Sequence, residues 1–388
     1  MTEHSIDEFA QLGRRLHDEI LAPMKAAFVG KDEVIDLLGV SLVAGENLFI
    51  LGPPGTAKSA LVQELSRRIE GQVFDYLLTR FTEPNELFGP FDIRKLREGE
   101  LVTNTEGMLP EAAFVFLDEL WNANSAILNS LLMVLNERVF RRGRETRRLP
   151  TLMVVGASNR LPEDDSLHAL FDRFLLRVHC DNVAPERLGE VLAAGWLLDN
   201  GLVERGARID VESIRLLQGR ASKVDLEPVR VAYLELVERL RQAGIPVSDR
   251  RAVKLQRLVA ASALVCGRMI AAVSDLWVLR YIWDREEQQE ILASLVQAAI
   301  EKRDQDLDSN PHPRAGATGP PDAEELARDL ERLAARLEDA ETTAAQRAVL
   351  RDQLGILAAR CQWIAGEQQR RFLAERVDKL WSLAGEAA

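Results

Sequence analysis

The first 45 residues place apolar positions at helical spacing and end in VGKDEVIDLLGVSLVAGE, where Val34, Leu37, Leu38 and Leu42 fall on one helix face. The pattern then changes. Asn47 to Leu51 (NLFIL) is a short, almost continuous apolar run, followed at once by the glycine-bearing GPPGTAKS and the amphipathic LVQELSRRI. This order predicts strand, turn, helix. Two similar runs come next, AFVFL at 113–117 and LMVVGAS at 152–158, with a shorter fourth from Leu175 to Val178. Apolar strands separated by helical stretches predict an α/β fold, a parallel sheet covered on both faces.

From about Pro185 the strand signals stop, and 185–300 reads as successive helices rich in Leu, Ala and Val. Residues 306–322, DLDSNPHPRAGATGPPD, hold four prolines and two glycines with little apolar content, which predicts a linker. Beyond it Leu326, Leu330, Leu333 and Leu337 step by four, three and four. Leu350, Leu354, Leu357, Cys361 and Ile364 continue the rhythm after a break around EDAETT. Two helices packed as a hairpin, or against the helices before the linker, are expected.

Composition narrows the partners more than the fold. A chain of 388 residues suggests two or three domains and buries a core without staples. Cys180, Cys266 and Cys361 lie far apart, and the five histidines form no HExxH pattern. A disulfide framework and a Cys- or His-built metal site are therefore not expected, and a reducing, cytoplasmic compartment is. The net charge of −12, from 49 basic and 61 acidic residues, repels polyanions, so nucleic acid is not the expected partner. MTEHSIDEFAQLGRR lacks the apolar segment of a secretory signal, and no run of about 18 apolar residues predicts a membrane span.

Three motifs carry chemistry. In Gly52-Pro53-Pro54-Gly55-Thr56-Ala57-Lys58-Ser59, a loop between strand and helix turns successive backbone N–H groups inward, where the helix dipole also favours anions. Lys58 offers a positive charge to terminal phosphates, and the Ser59 hydroxyl is placed to ligate Mg2+. Ala57 stands where GxxxxGK[ST] has its second glycine, which the loop accepts if the residue has negative φ. The second motif, FVFLDE, ends an apolar strand in Asp118 and Glu119, a costly position for charges unless they are used. Asp118 is suited to hold Mg2+ through its water shell, and Glu119 to polarise the water that attacks a γ-phosphate. The third, VVGASN, ends in Asn159, whose amide is placed to orient that water or to contact the γ-phosphate.

GPPGTAKS, FVFLDEL, GASN and ALFDRF, in this order and spacing, resemble the AAA+ ATPases, specifically the MoxR family, in which alanine at position 57 is typical. The stretches LTRFTEPNELFGPFDIRKL and ILNSLLMVLNERVFRRG look most like its RavA subfamily, and the resemblance spans roughly residues 5–300. It implies ATP and Mg2+ as cofactors, a homo-oligomeric ring, commonly a hexamer, with ATP between subunits, and a von Willebrand A-domain protein as partner. By the same resemblance Arg173 in LFDRF matches the arginine finger that reaches a neighbour's γ-phosphate. Arg250 in VSDRRAV, or the adjacent Arg251, matches the second sensor arginine of the helical lid, and Val29-Gly30 match the loop against adenine. The parts this implies are a parallel-sheet core over 1–183, an all-helical lid over 184–270, and a C-terminal helical arm (a hairpin or triple helix) over 271–388, interrupted at 306–322.

Two segments resemble the family's insertions. Residues 88–109 alternate polar and apolar around Glu98-Gly99-Glu100, as a hairpin would, and 137–150 resemble the hairpin before the sensor strand. The second holds Arg141, Arg142, Arg144, Arg147 and Arg148, which suit either a neighbouring acidic subunit or a polyanion. The β-rich module by which well-known RavA members bind a lysine decarboxylase has no counterpart here, so that partner is not carried over. The expected function is ATP hydrolysis that remodels or activates a protein client. A DNA-stimulated motor and a non-hydrolysing nucleotide-switch scaffold are the rivals.

Overall fold

The structure, a computed structural model, describes residues 3–99, 101–142, 145–162, 165–200, 206–301, 312–316, 323–338, 350–351, 354, 357–358, 361 and 367–385. Five strands make the main sheet: β1 (Asn47–Leu51), β2 (Val73–Leu77), β3 (Phe114–Asp118), β4 (Met153–Ser158) and β5 (Phe174–His179). Their order is β2-β3-β4-β1-β5 and every neighbouring pair is parallel. All residues of β1 and β4 are buried, as two covered faces require. The expected α/β architecture is thus present, with one strand more than the apolar runs predict. β2, VFDYL, lies at the sheet's edge, where Asp75 and Leu77 face outward and break the apolar run.

Helix α1 (Glu3–Arg15), a π-helical turn over Leu16–Leu21 and a short helix over Ala22–Ala27 lead to α2 (Asp32–Ala44). Helix α2 is buried from Val34 to Ala44, on all its faces and not along one stripe alone. It ends on Gly45, whose φ of 67° is the left-handed cap glycine accepts at little cost. After α3 (Lys58–Arg67) and α4 (Ser125–Glu137), the chain beyond β5 is helical: α5 (Leu188–Asp199), α6 (Val211–Ala221), α7 (Glu227–Gln242) and α8 (Asp249–Val265). One strand signal survives there, the two-residue parallel pair of Ile69–Glu70 with Ile209–Asp210. Aromatic rings join the sheet to the segments C-terminal to it. Phe49 of β1 packs 5.3 Å from both Trp121 and Phe171, and Phe171 lies 6.4 Å from Trp283.

The insertions resolve differently. Val139–Arg142 and Glu145–Arg148 form the expected antiparallel hairpin. Residues 88–109 do not pair as two strands: one bridge, Phe91 to Thr103, closes around a short helix over Ile93–Arg97. Asp92 starts that helix by accepting from the amides of Arg94 and Lys95, a local bond that competes with a ladder.

Part of the expected linker is packed. Residues 313–316 form a single 3-10 turn after His312, which is buried and stacks 4.8 Å from Trp277. Burial and the surrounding cations push its imidazole down to about 3, so it is neutral. Arg314 pairs with Asp36 of α2 at 2.6 Å, and Lys25 reaches the same carboxylate at 2.5 Å. Before this strap come a 3-10 stretch, Val273–Tyr281, and α9 (Gln288–Glu301). Beyond it α10 (Ala323–Glu338), α11 (Glu367–Gly385) and the described residues between them build a separate apolar cluster. In it Leu326, Leu330, Leu333 and Leu337 meet Leu350, Leu354, Leu357 and Cys361, as their spacing predicts, and Leu373, Val377 and Leu380 of α11 join them. Ile364, Glu100 and most of EDAETT lie outside the described residues. No described helix is long and apolar enough to cross a membrane.

Asp275 ties the strap's neighbourhood together. Fully buried, it accepts two bonds of 2.8 Å from Arg268, one of 2.7 Å from Ser262 and one of 2.8 Å from the amide of Ala272. Removing one partner of a buried pair strands the other. Asp275→Ala is therefore expected to cost about 3–5 kcal/mol, whereas Glu19→Ala, whose pair with Arg15 is exposed, costs under about 1 kcal/mol. Urea unfolding monitored by tryptophan fluorescence measures both, and equal small losses would refute the assignment.

Candidate functional site

Residues 52–57 join β1 to α3, so the loop leaves the end of a buried strand and enters a helix N-terminus. Gly52 passes so close to β5 that a Cβ there would stand 2.3 Å from the Cys180 carbonyl oxygen, leaving room for glycine alone. Gly55 has φ of +84° and sits in open space, and Pro53, Pro54 and Gly55 are exposed. Thr56 Oγ1 donates to the Pro53 carbonyl at 2.9 Å. Lys58 folds back: its buried Nζ donates to the carbonyls of Gly52 at 2.6 Å and Pro53 at 2.9 Å. The ammonium is held by neutral acceptors inside its own loop, where an anion would find it already desolvated.

Ala57 corrects the expectation of negative φ. It lies at +69° in the left-handed region, at the N-cap of α3. The loop keeps the shape a glycine would have, and the extra methyl costs about 1 kcal/mol of local strain.

The acidic pair sits at the same sheet edge. Ser59 Oγ donates to Asp118 Oδ2 at 2.8 Å, and the Glu119 amide donates to Asp118 Oδ1 at 2.9 Å. A hydroxyl and a carboxylate oxygen converging beside a phosphate-type loop are the hard, oxygen-only donors that Mg2+ takes while keeping several waters, so the residues fit that ion. Glu119 has φ of +51°, the second strained backbone of the site. Burial and the charge of Asp118 push its carboxyl above the ordinary glutamate range, against Lys58 and Arg160. Asn159 is exposed at the end of β4, the strand between β1 and β3, and so stands between the phosphate loop and the acidic pair.

Beside the loop opens a cavity of about 640 Å3, lined in part by Phe28, Val29, Thr56, Asn182 and Leu198. Val29 is therefore at the cavity, and Gly30, with φ of +71°, turns the chain against Val183. Lys31 also lines it and donates to the Asp181 carbonyl. The motifs in the sequence did not point to Lys31, Asn182 or Arg160. Arg160 comes directly after Asn159, the only signal that could have found it.

Arg173 and Arg250 are not at this edge. β1 and β5 are parallel with Asn47 level with Phe174, so Arg173 lies where β1 begins. Asn47 Nδ2 donates to the Arg173 carbonyl at 3.0 Å, and Arg138 donates to Asn47 Oδ1 at 2.7 Å. Arg250, exposed at the start of α8, donates to Asn136 Oδ1 at 3.4 Å, near that same end. Arg251 is buried and bonded to Asp284 and the Ile282 carbonyl. In the arginine-rich hairpin, Arg142 donates to the Gly89 carbonyl (2.7 Å) and Asn85 (2.6 Å) and covers Phe91 at 4.0 Å. Arg147 reaches Thr105 at 2.9 Å and Arg141 pairs with Glu137. Three of the five arginines thus have partners within the chain; Arg148 is exposed and Arg144 lies outside the described residues.

Comparisons with known proteins bear on this site. A family model described as the MoxR domain in the MoxR-vWA-beta-propeller ternary systems matches residues 14–219, and one described as an AAA lid domain matches residues 231–296. An uncharacterized protein of Methanocaldococcus jannaschii is 36% identical over 269 residues, covering 69% of this chain and 70% of its own. The Mycobacterium tuberculosis protein named Chaperone MoxR1 is 27% identical over 173 residues, 44% of this chain and 45% of its own. A solved structure from Cytophaga hutchinsonii has a TM-score of 0.62 at 19% identity, covering 77% of this chain and 97% of that one, a likeness of fold.

The raised carboxyl of Glu119 has a thermodynamic sign. Its folded form resists ionisation, so the fold bears a cost that is absent below the unfolded glutamate range and grows as pH rises through the folded titration. Glu119→Gln is expected to raise the Tm of nucleotide-free protein at pH 7, with a gain that shrinks on acidification toward that range. Calorimetry across the pH series checks this, and a gain independent of pH would contradict it.

Proposed function

The chain belongs to the MoxR family of AAA+ ATPases, and on that premise we propose that it hydrolyses ATP with Mg2+ as a ring, commonly hexameric in the family, to remodel or activate a protein client. The observation that carries the reading is the convergence of Ser59 and Asp118 at 2.8 Å, with Glu119 beside them and Lys58 in the adjoining loop. Val29 borders the cavity that takes the adenine, Gly30 turns the chain next to it, and Gly52, Pro53, Pro54, Gly55, Thr56 and Ala57 present the loop to the phosphates. Lys58 exchanges its two carbonyl acceptors for phosphate oxygens. Ser59 and Asp118, the latter through water, would hold Mg2+, which when bound would offset the charge of the phosphate groups. Glu119 accepts the proton of the attacking water, and Asn159 orients that water.

Arg173 acts on a neighbour's nucleotide. Its own phosphate loop lies beyond the five residues of β1, about 16 Å at roughly 3.3 Å per residue, farther than its side chain spans. Arg250 accompanies it at that end, whereas Arg251 is committed to Asp284. The description of the matching family supports a von Willebrand A-domain partner, and the named mycobacterial relative supports a chaperone-like role. The finer RavA-like placement rests on the stretches LTRFTEPNELFGPFDIRKL and ILNSLLMVLNERVFRRG. Free cysteines accord with a cytoplasmic setting. Internal partners of Arg141, Arg142 and Arg147 take weight from the DNA-motor reading.

Glu119→Gln is expected to bind ATP as the parent does while turnover falls by at least about a hundredfold; unchanged turnover would sink the assignment. Arg173→Ala is expected to lower turnover about a thousandfold or more, only at protein concentrations where subunits associate. An equal loss in isolated subunits would contradict a role between subunits.

A further inference from the structure

Arg173 is not alone with Asp172. Its Nη1 stands 3.1 Å from Asp172 Oδ2, while the carboxylate's other oxygen faces Arg251 Nη1 at 3.9 Å. The two guanidiniums differ in freedom. Arg173 is 30% exposed, whereas Arg251, at 9%, is fixed on several sides. Arg251 Nη1 donates to both oxygens of Asp284 at 3.1 and 3.0 Å, Nη2 donates to the Ile282 carbonyl at 2.6 Å, and its amide is capped by Ser248.

Asp284 is itself pinned. Arg177, fully buried, pairs with it at 2.8 Å and donates to the Trp283 carbonyl at 2.7 Å. The second amino group of Arg177 donates to the Phe171 carbonyl at 3.1 Å, and its guanidinium covers the Phe171 ring at 4.3 Å. Phe171, Asp172 and Arg173 are consecutive. Residues 282–284, between the helical region and α9, are therefore bonded from two directions to the turn that presents Arg173. Desolvating this many charges costs several kcal/mol per ion, and apolar packing would hold the turn as well. What apolar packing would not supply is a second cation for Asp172.

We propose that Arg251 and Asp284 are positioning residues for Arg173: Asp172 holds Arg173 within the lone subunit, and Arg251, locked by Asp284, takes up the Asp172 carboxylate when Arg173 turns to a neighbour's phosphates. The exchange needs only a small side-chain shift at Asp172 and leaves no carboxylate facing the departed finger. It rests on the proposed role of Arg173 as that finger.

The test uses the full chain at protein concentrations where specific activity has reached its plateau, with single-turnover release of labelled phosphate from ATP. Asp284→Asn is expected to lower the rate constant between about tenfold and a hundredfold, with KM for ATP unchanged, as a displaced catalytic group does. Arg251→Lys, which keeps the charge but loses the forked contact to Asp284 and Ile282, is expected to do the same and guards against a folding failure of the first variant. In an Arg173→Ala background neither substitution should lower the rate further, because no finger remains to misplace. Unchanged rates at the plateau, with only Tm or association affected, would overturn the proposal, as would losses of full size in the Arg173→Ala background. Full activity of Arg173→Ala alone would instead remove the finger assignment itself, and the positioning role with it.

Discussion

A single buried strand indexes the whole molecule. β1 has a parallel ladder on each side, to β4 and β5, and none of its residues reaches solvent. Parallel pairing gathers the segments that leave the strands at one edge of the sheet and the segments that enter them at the other. The phosphate loop leaves β1, the acidic pair closes β3 and Asn159 leaves β4, so these groups meet without any long-range search. Asn47 and Arg173 stand where their strands begin and meet at the opposite edge. The two halves of the proposed site are separated by a rigid length that no side-chain rotation shortens, so hydrolysis on this reading requires a second copy to supply what the first holds on its far side.

The cost of this arrangement is concentrated at the two edges of the same sheet. Three non-glycine residues among those described have positive φ: Ala57 and Glu119 at the phosphate edge, and Arg138 at the other, where it bonds Asn47. Strain of this kind persists only where the surroundings over-determine it. Gly52 wedged against Cys180 supplies that determination at the loop, and the Ser59–Asp118–Glu119 chain of bonds supplies it at the acidic pair. Glu119 carries a second unfavourable term, a negative charge held near Asp118 in partial burial, which suits the proton acceptor proposed for it.

The parts legible in the sequence were those governed by short-range rules. An apolar run leading into a glycine-bearing turn and Lys-Ser located the loop, and Leu326 to Leu337 located a helix whose apolar face is buried. β2 escaped because Asp75 and Leu77 at an edge strand do not have to alternate or stay apolar. The sign of φ at Ala57 escaped because the covalent chain tolerates both values, and only the folded loop, with Ala57 at the N-cap of α3, shows which one it takes. His312 escaped for a composition reason: proline and glycine around it read as a linker, while it packs on Trp277, 35 residues earlier, and its neighbour Arg314 pairs with Asp36 on a helix near the start of the chain. Arg251's commitment to Asp284, 33 residues further on, likewise could not be read from the residues around it.

That strap sets a length. Between Glu301 and Ala323 the backbone has 22 steps, about 75 Å if drawn straight, but from Gly316, where the docked turn ends, only seven remain. At about 3.6 Å per step those seven span about 25 Å at most. Chain length alone therefore keeps the start of α10 within about 25 Å of the docked turn, whose Arg314 pairs with Asp36 of α2. Without the contacts of His312 and Arg314, chain length alone would allow the start of α10 to lie about three times farther from the end of α9 than from the docked turn.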